Sequence, residues 1–166
     1  MIEWLNDHSI IHPYYILIQE CKKLYIVMAE LNIEIITPDK VIFKGEIISV
    51  TVPGVKGRFQ VLKNHAPLVS IFEIGMIEIG TPDKNSSYYA TGGGTIEVLN
   101  NEVLILADSL ELVEDIDVER AKNAKYRAED RLEKKEEGTD IERAENALKR
   151  AVNRLNIVEK HLRAEV

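Results

Sequence analysis

The chain has 166 residues, 45% of them hydrophobic and 30% charged, and a formal net charge of −7. That length holds one ordinary domain or two small ones, and the composition is that of a soluble globular protein. The acidic balance excludes a general nucleic-acid binder, because neutralising phosphates takes a basic surface. The single cysteine, Cys21, excludes an internal disulfide and any multi-cysteine metal site.

The charge is unevenly spread. From Asp115 onwards there are thirteen acids and thirteen Lys/Arg, so the whole −7 resides in residues 1–114. An acidic part followed by a charge-dense but balanced part implies two modules with different jobs. The four histidines (His8, His12, His65 and His161) are scattered, without the spacing of metal ligands.

Residues 1–27 open the chain with an apolar run around Ile16–Ile18, broken by His12-Pro13 and preceded by Glu3 and Asp7. A secretory signal needs positive charge at its start, and the run is too short to span a bilayer. The expectation is a leader that is poorly ordered or not translated, with Met28 as a sensible beginning.

From Leu31 to Ala107 the pattern is short and alternating. "LNIEII", "VIFKGEIISVTV", "RFQVL", "LVSIFEI", "MIEIG", "SYYAT", "TIEVL" and "EVLILAD" are rich in Ile, Val, Thr and Tyr. Turn formers lie between them: Thr37-Pro38-Asp39, Pro53-Gly54, Gly57, Lys63-Asn64, Gly75, Thr81-Pro82-Asp83, Gly92-Gly93-Gly94 and Asn100-Asn101. Strands at this spacing predict a sandwich or flattened barrel over residues 28–110. The clearest hairpin is "IEVLNNEVLILA", since Asn-Asn tolerates positive φ. The glycine run lacks a following Lys-Ser/Thr and precedes a strand, so it is no phosphate loop and reads as a sharp turn between strands.

After Asp108 the period changes. Ala, Glu, Lys, Arg and Leu dominate, and two helices are predicted near 117–134 and 140–163. Asp117 or Asp115 can cap the first, and Thr139 with Glu142 forms a capping box for the second. The short "EKKEEGT" connection makes the pair an antiparallel hairpin within residues 111–166. The predicted class is therefore α+β: an N-terminal all-β sandwich followed by a C-terminal two-helix hairpin.

The two helices are near-copies. At an offset of 23 residues, Asp117, Glu119, Arg120, Ala121, Asn123, Ala124, Arg127, Ala128, Arg131 and Leu132 match Asp140, Glu142, Arg143, Ala144, Asn146, Ala147, Arg150, Ala151, Arg154 and Leu155. On a wheel of about 100° per residue, each copy has an Ala/Leu stripe beside an Arg stripe. The alanines form a close, weak seam, so the hairpin suits a switch. The arginine rows can face a common space and grip phosphates or carboxylates. The plainer alternative lays the Arg stems along the seam, with Arg127 and Arg131 paired to acids one turn away. No Ser–His–Asp set or acid/base pair stands out, and His65, in "NHAPLV", reads as a loop residue rather than a catalyst.

"NHAPLVSIFEIGMIEI" and "GGGTIEVLNNEVLILAD", followed by an Ala-rich helical hairpin, resemble the ε subunit of the F-type (rotary) ATP synthase from about Leu31 to the end of the chain. The resemblance implies a noncatalytic central-stalk subunit that needs no cofactor. Its sandwich would bind the γ subunit and the c-ring, linking proton flow to ATP synthesis. Its hairpin would lie compact on the sandwich or reach along γ towards the α/β catalytic subunits to restrain hydrolysis. The location implied is the cytoplasmic face of the bacterial cell membrane, peripheral through the complex.

In some bacterial relatives the compact form binds ATP as a regulatory ligand through an Ile-Asp-x-x-Arg-Ala motif. Here "IDVERA" supplies Ile116, Asp117, Arg120 and Ala121, with Arg127, Arg150, Arg154 and Glu111 at the matching positions. The resemblance also places Arg58 and His65 at the rotor contact, with Arg58 standing where relatives usually carry glutamate. A free-standing adaptor that docks an acidic partner through the hairpin is the competing reading.

Overall fold

The computed structural model describes residues 31–83, 85–134 and 140–164, with side chains through Leu162. The leader and Thr139 lie outside the described residues.

Among the described residues eight strands precede the helices: β1 (Leu31–Ile36), β2 (Val41–Ile47), β3 (Ser49–Gly54), β4 (Gly57–Leu62), β5 (Leu68–Gly80), β6 (Ser86–Leu99), β7 (Glu102–Ala107) and β8 (Leu110–Leu112). Their registers divide into two layers. In the first, β1 pairs antiparallel with β2 and parallel with β7, and β7 pairs with Gly94–Leu99 of β6. Leu68–Phe72 of β5 completes that layer. In the second, β8 pairs with Tyr89–Thr91 of β6, whose N-terminal half pairs with Ile74–Gly80 of β5, followed by β3 and β4. The long strands β5 and β6 thus belong to both layers.

Alternation puts one face of each layer inward. Ile33, Ile35, Ile96 and Ile105 from the first layer and Val50, Val52, Val61, Ile77 and Ile79 from the second merge in one buried cluster with Phe72. This is the predicted sandwich.

Several boundaries differ from the sequence reading. "LVSIFEI" and "MIEIG" are one strand, as are "SYYAT" and "TIEVL", whereas "VIFKGEIISVTV" breaks at Ile48 into strands of different layers. The glycine run is not a turn between strands but a kink inside β6. Gly93 and Gly94 have φ of 104° and 152°, and the pairing of β6 passes there from β8 to β7. A Cβ on Gly94 would strike the Leu106 carbonyl oxygen. Gly75 is not a turn either. It stays paired with Thr91 and is small because Pro53 packs onto it. The Asn100-Asn101 hairpin is as expected, with both residues at positive φ (52° and 63°). The unexpected β8 carries the sheet to Leu112, past the expected boundary at 110/111.

A 3-10 turn, Val113–Asp115, leads into α1 (Val118–Lys134) and α2 (Ile141–Ala164). Asp117 caps α1, its Oδ1 accepting the Arg120 N–H at 2.9 Å. Asp140 does the same for α2 through the Arg143 N–H at 2.9 Å, so the cap observed among the described residues is Asp140.

The Ala stripes form the seam. Ala121 and Ala128 of α1 and Ala144 and Ala151 of α2 are buried. Among the described residues Arg127 and Arg131 do not take the one-turn ion pairs considered for them; Asp130, one turn from Arg127, pairs with Lys134. The C-terminal half of α2 docks on the sandwich through a second cluster, in which Ile157 meets Ala90, Val113 and Ile116, with Met76, Tyr88 and Val158 against it. Asn153 adds a hydrogen bond from Nδ2 to the Gly75 carbonyl oxygen at 2.8 Å.

Candidate nucleotide cleft

Three features converge on one place. β8 alternates Leu110 and Leu112 towards the sandwich core, so Glu111 between them projects to the hairpin side. The Asp117 cap starts α1 beside it. The seam then brings Arg154 of α2 to face Arg120 and Arg127 of α1. Glu111, Asp117, Arg120, Ala121, Ala124, Arg127 and Arg154 together line a cleft of about 310 Å³.

Three guanidinium groups and two carboxylates line the cleft. Arg120 and Arg127 are exposed and form no ion pair among the described residues. Arg154 differs: its Nε donates to Glu111 Oε2 at 2.6 Å, joining hairpin to sandwich. A charge-assisted bond of this length is stronger than a neutral one. Asp117 is engaged by the helix cap, so its carboxylate serves α1 first.

Two residues implied for the site do not line the cleft. Ile116 is buried beneath it in the second apolar cluster, where it fixes the entry of α1. Arg150, one turn before Arg154, has its Cδ near Gly92 and borders a larger groove of about 770 Å³ with Glu73, Asp108, Lys149 and Asn153. The wheel placed Arg150 and Arg154 on one stripe. They still share a small recess beside Gly92 and Ser109, but each borders a different larger cavity.

Arg58 and His65, implied as rotor contacts, lie at opposite ends of β4. Arg58 follows the Val55–Lys56 turn and pairs with Glu78 of its own chain at 3.3 Å. His65 sits in the β4–β5 loop with Nδ1 2.8 Å from the Ala66 carbonyl oxygen.

Two groups that secure this end of the molecule carry no signal in the sequence. Asn153 reaches a residue 78 positions away, which no local pattern announces. His161 packs against Tyr88 with ring centroids 5.6 Å apart and stands 3.6 Å from Glu114. Nearby, burial and then the Glu114 charge raise the Tyr89 hydroxyl above its usual 10.0. At the far turn, hydrogen bonds from Thr81 and then Asn85 hold the Asp83 carboxyl below 3.8.

Two family models cover this architecture. The ATP synthase delta/epsilon chain beta-sandwich domain matches residues 30–113, and the long alpha-helix domain of the same chain matches residues 114–159. The chain belongs to the ATP synthase delta/epsilon family. The boundary between the models at 113/114 falls just after β8. Among relatives, the ATP synthase epsilon chain of Moorella thermoacetica is 44% identical over 111 residues, covering 67% of this chain and 83% of its own. That of Salinibacter ruber is 39% identical over 112 residues, covering 63% and 75%. A chain in the Euglena gracilis mitochondrial ATP synthase shares the fold, with a TM-score of 0.64 at 20% identity over 74% of this chain and 76% of that one. Among the described residues no helix is long and apolar enough to cross a membrane.

Proposed function

We propose that this chain is the noncatalytic ε-type subunit of the rotating central stalk of an F-type ATP synthase. The carrying observation is the joint match of both family domains, in order, from residue 30 to 159, in a chain where the hairpin is folded onto the sandwich. In this role the sandwich binds the γ subunit and the c-ring and passes rotation between proton flow and ATP synthesis. The hairpin is the regulator, and when undocked it reaches towards the α/β catalytic subunits and restrains hydrolysis. The subunit is peripheral, held at the cytoplasmic face of a bacterial cell membrane by the complex. Arg58 and His65 face the rotor in this reading. The internal Arg58–Glu78 pair lets a cation stand there without an acid on the partner.

The cleft serves as a sensor for ATP. Arg120, Arg127 and Arg154 supply guanidinium forks for phosphates, and Glu111 supplies an acceptor for an amino group on the base. Because the cleft is built from β8, α1 and α2 together, a ligand in it favours the compact form. At about 100 times its dissociation constant, such a ligand adds roughly 2.7 kcal/mol to that form. Arg150 lies one helical turn from Arg154 and shares a small recess with it beside Gly92.

Stalk membership is tested by co-purification with γ, and a chain that never associates with γ contradicts it. Sensing is tested by calorimetry with the isolated chain. Binding at millimolar ATP or below is expected, and Arg120→Ala or Arg127→Ala should weaken it about tenfold or more, as for lost hydrogen bonds to charged groups. Absence of heat at millimolar ATP contradicts sensing but leaves the stalk role standing.

A further inference from the structure

The cleft carries its own competitor. Of its three guanidinium groups, Arg120 and Arg127 are exposed, while Arg154 is already engaged by the Glu111 carboxylate at 2.6 Å. A carboxylate oxygen and a phosphate oxygen offer the same kind of acceptor to an Arg fork. A polyanion that grips the Nε edge of Arg154 must therefore displace Glu111 from it. The pair is only partly shielded, with side chains 29% and 35% exposed, so it can exchange. It also spans the two modules, since Glu111 belongs to β8 and Arg154 to α2.

Resting on the nucleotide reading of the cleft, we infer that Glu111 is a built-in competitor that both latches the empty hairpin and makes the cleft select nucleotides over bare polyphosphate. A bare polyphosphate that displaces Glu111 leaves a carboxylate beside its own negative charge with no new partner. A ligand that also carries an amino group on its base gives the released carboxylate a donor. Discrimination thus comes from the cost imposed on the wrong ligand as much as from contacts to the right one. The same pair also ties the hairpin to the sandwich, since it joins β8 to α2.

The test titrates the full chain with ATP and with inorganic tripolyphosphate, in the wild type, in Glu111→Gln and in the swap Glu111→Arg/Arg154→Glu. Glu111→Gln keeps the shape and removes the charge. Tripolyphosphate should bind this variant roughly fivefold more tightly than wild type, the upper end for a solvent-reached ion pair. ATP should gain nothing or weaken, so the preference for ATP shrinks. Hydrogen exchange of α2 amides in the empty protein should quicken by a similar factor. The swap, which keeps an ion pair between the two positions, should restore slow exchange and return tripolyphosphate binding to the weaker wild-type level.

Tripolyphosphate binding that is unchanged, weaker or absent in Glu111→Gln overturns the competitor role, whatever ATP does. Unchanged α2 exchange overturns the latch. If wild type ignores ATP while Glu111→Gln gains tripolyphosphate, the nucleotide reading fails and the competition for Arg154 stands.

Discussion

The alanine seam sets how readily the hairpin opens, and Ala151→Leu probes it. Ala151 is completely buried between the helices, opposite the α1 stripe that contains Ala121 and Ala128. Four buried methyl groups at about 0.8 kcal/mol each give the seam an apolar contribution of roughly 3 kcal/mol. Leucine at 151 has no space to enter, and overpacking of this kind costs about 1–3 kcal/mol. Leucine is nearly as good a helix former as alanine, so α2 itself should persist. The substitution should therefore consume a third to all of the seam. At 1.4 kcal/mol per factor of ten, the open population should rise about 5- to 150-fold. Hydrogen exchange measures this directly: amides of α1 and the N-terminal half of α2 should quicken by that factor while those of Ile77, Ile79 and Ile105 stay protected. Lys160→Leu, on an exposed face, is the control and should change nothing. Wild-type exchange rates in Ala151→Leu would refute the claim that close backbone approach at the alanines governs opening.

Three further outcomes follow from particular contacts. Gly94→Ala should destabilise the sandwich by about 2–5 kcal/mol, visible as a lower urea midpoint, because its Cβ meets the backbone of β7 at a φ of 152°. Asn153→Ala should loosen docking by about 1 kcal/mol through loss of the bond to the Gly75 carbonyl, read as faster exchange in α2 with the sandwich unaffected. The raised Tyr89 hydroxyl makes stability fall at high pH. Below 10.0 both folded and unfolded forms keep the proton and stability is flat. Above 10.0 the unfolded chain loses it first, so stability declines until the folded value is passed. Tyr89→Phe should flatten that decline in thermal melts taken from pH 9 to 12.

What the sequence disclosed was local. The Asn100-Asn101 hairpin and the two alanine stripes depend on neighbours within one turn or one hairpin, and the Asp117 cap on three residues, so a wheel and a turn rule found them. Glycine misled because its smallness serves two purposes. At Gly75 it admits Pro53, and at Gly92–Gly94 it lets β6 kink and change partners, yet both read as breaks between strands. The parallel pairing of β1 with β7 joins segments about 70 residues apart and leaves no local trace.

The cleft was partly legible for the same reason. Arg120, Arg127 and Asp117 share one helix and its cap, and Arg154 belongs to the matching Arg stripe of the second copy. That Arg150 borders the larger groove rather than the cleft depends on how α2 sits on the sandwich, which a wheel does not contain. Nor does it show that Glu111 would already hold Arg154.

The central claim is that the hairpin folds back or reaches outward under the control of the ligand in its cleft. The most direct measurement is a distance between spin labels on Asn156→Cys and Lys56→Cys, in a Cys21→Ser background, within the assembled ATP synthase. With millimolar ATP the account predicts one short distance, matching the docked hairpin. Without ATP it predicts that a second, longer distance becomes populated. A single distance unchanged by ATP would contradict it and leave the hairpin as a fixed structural element.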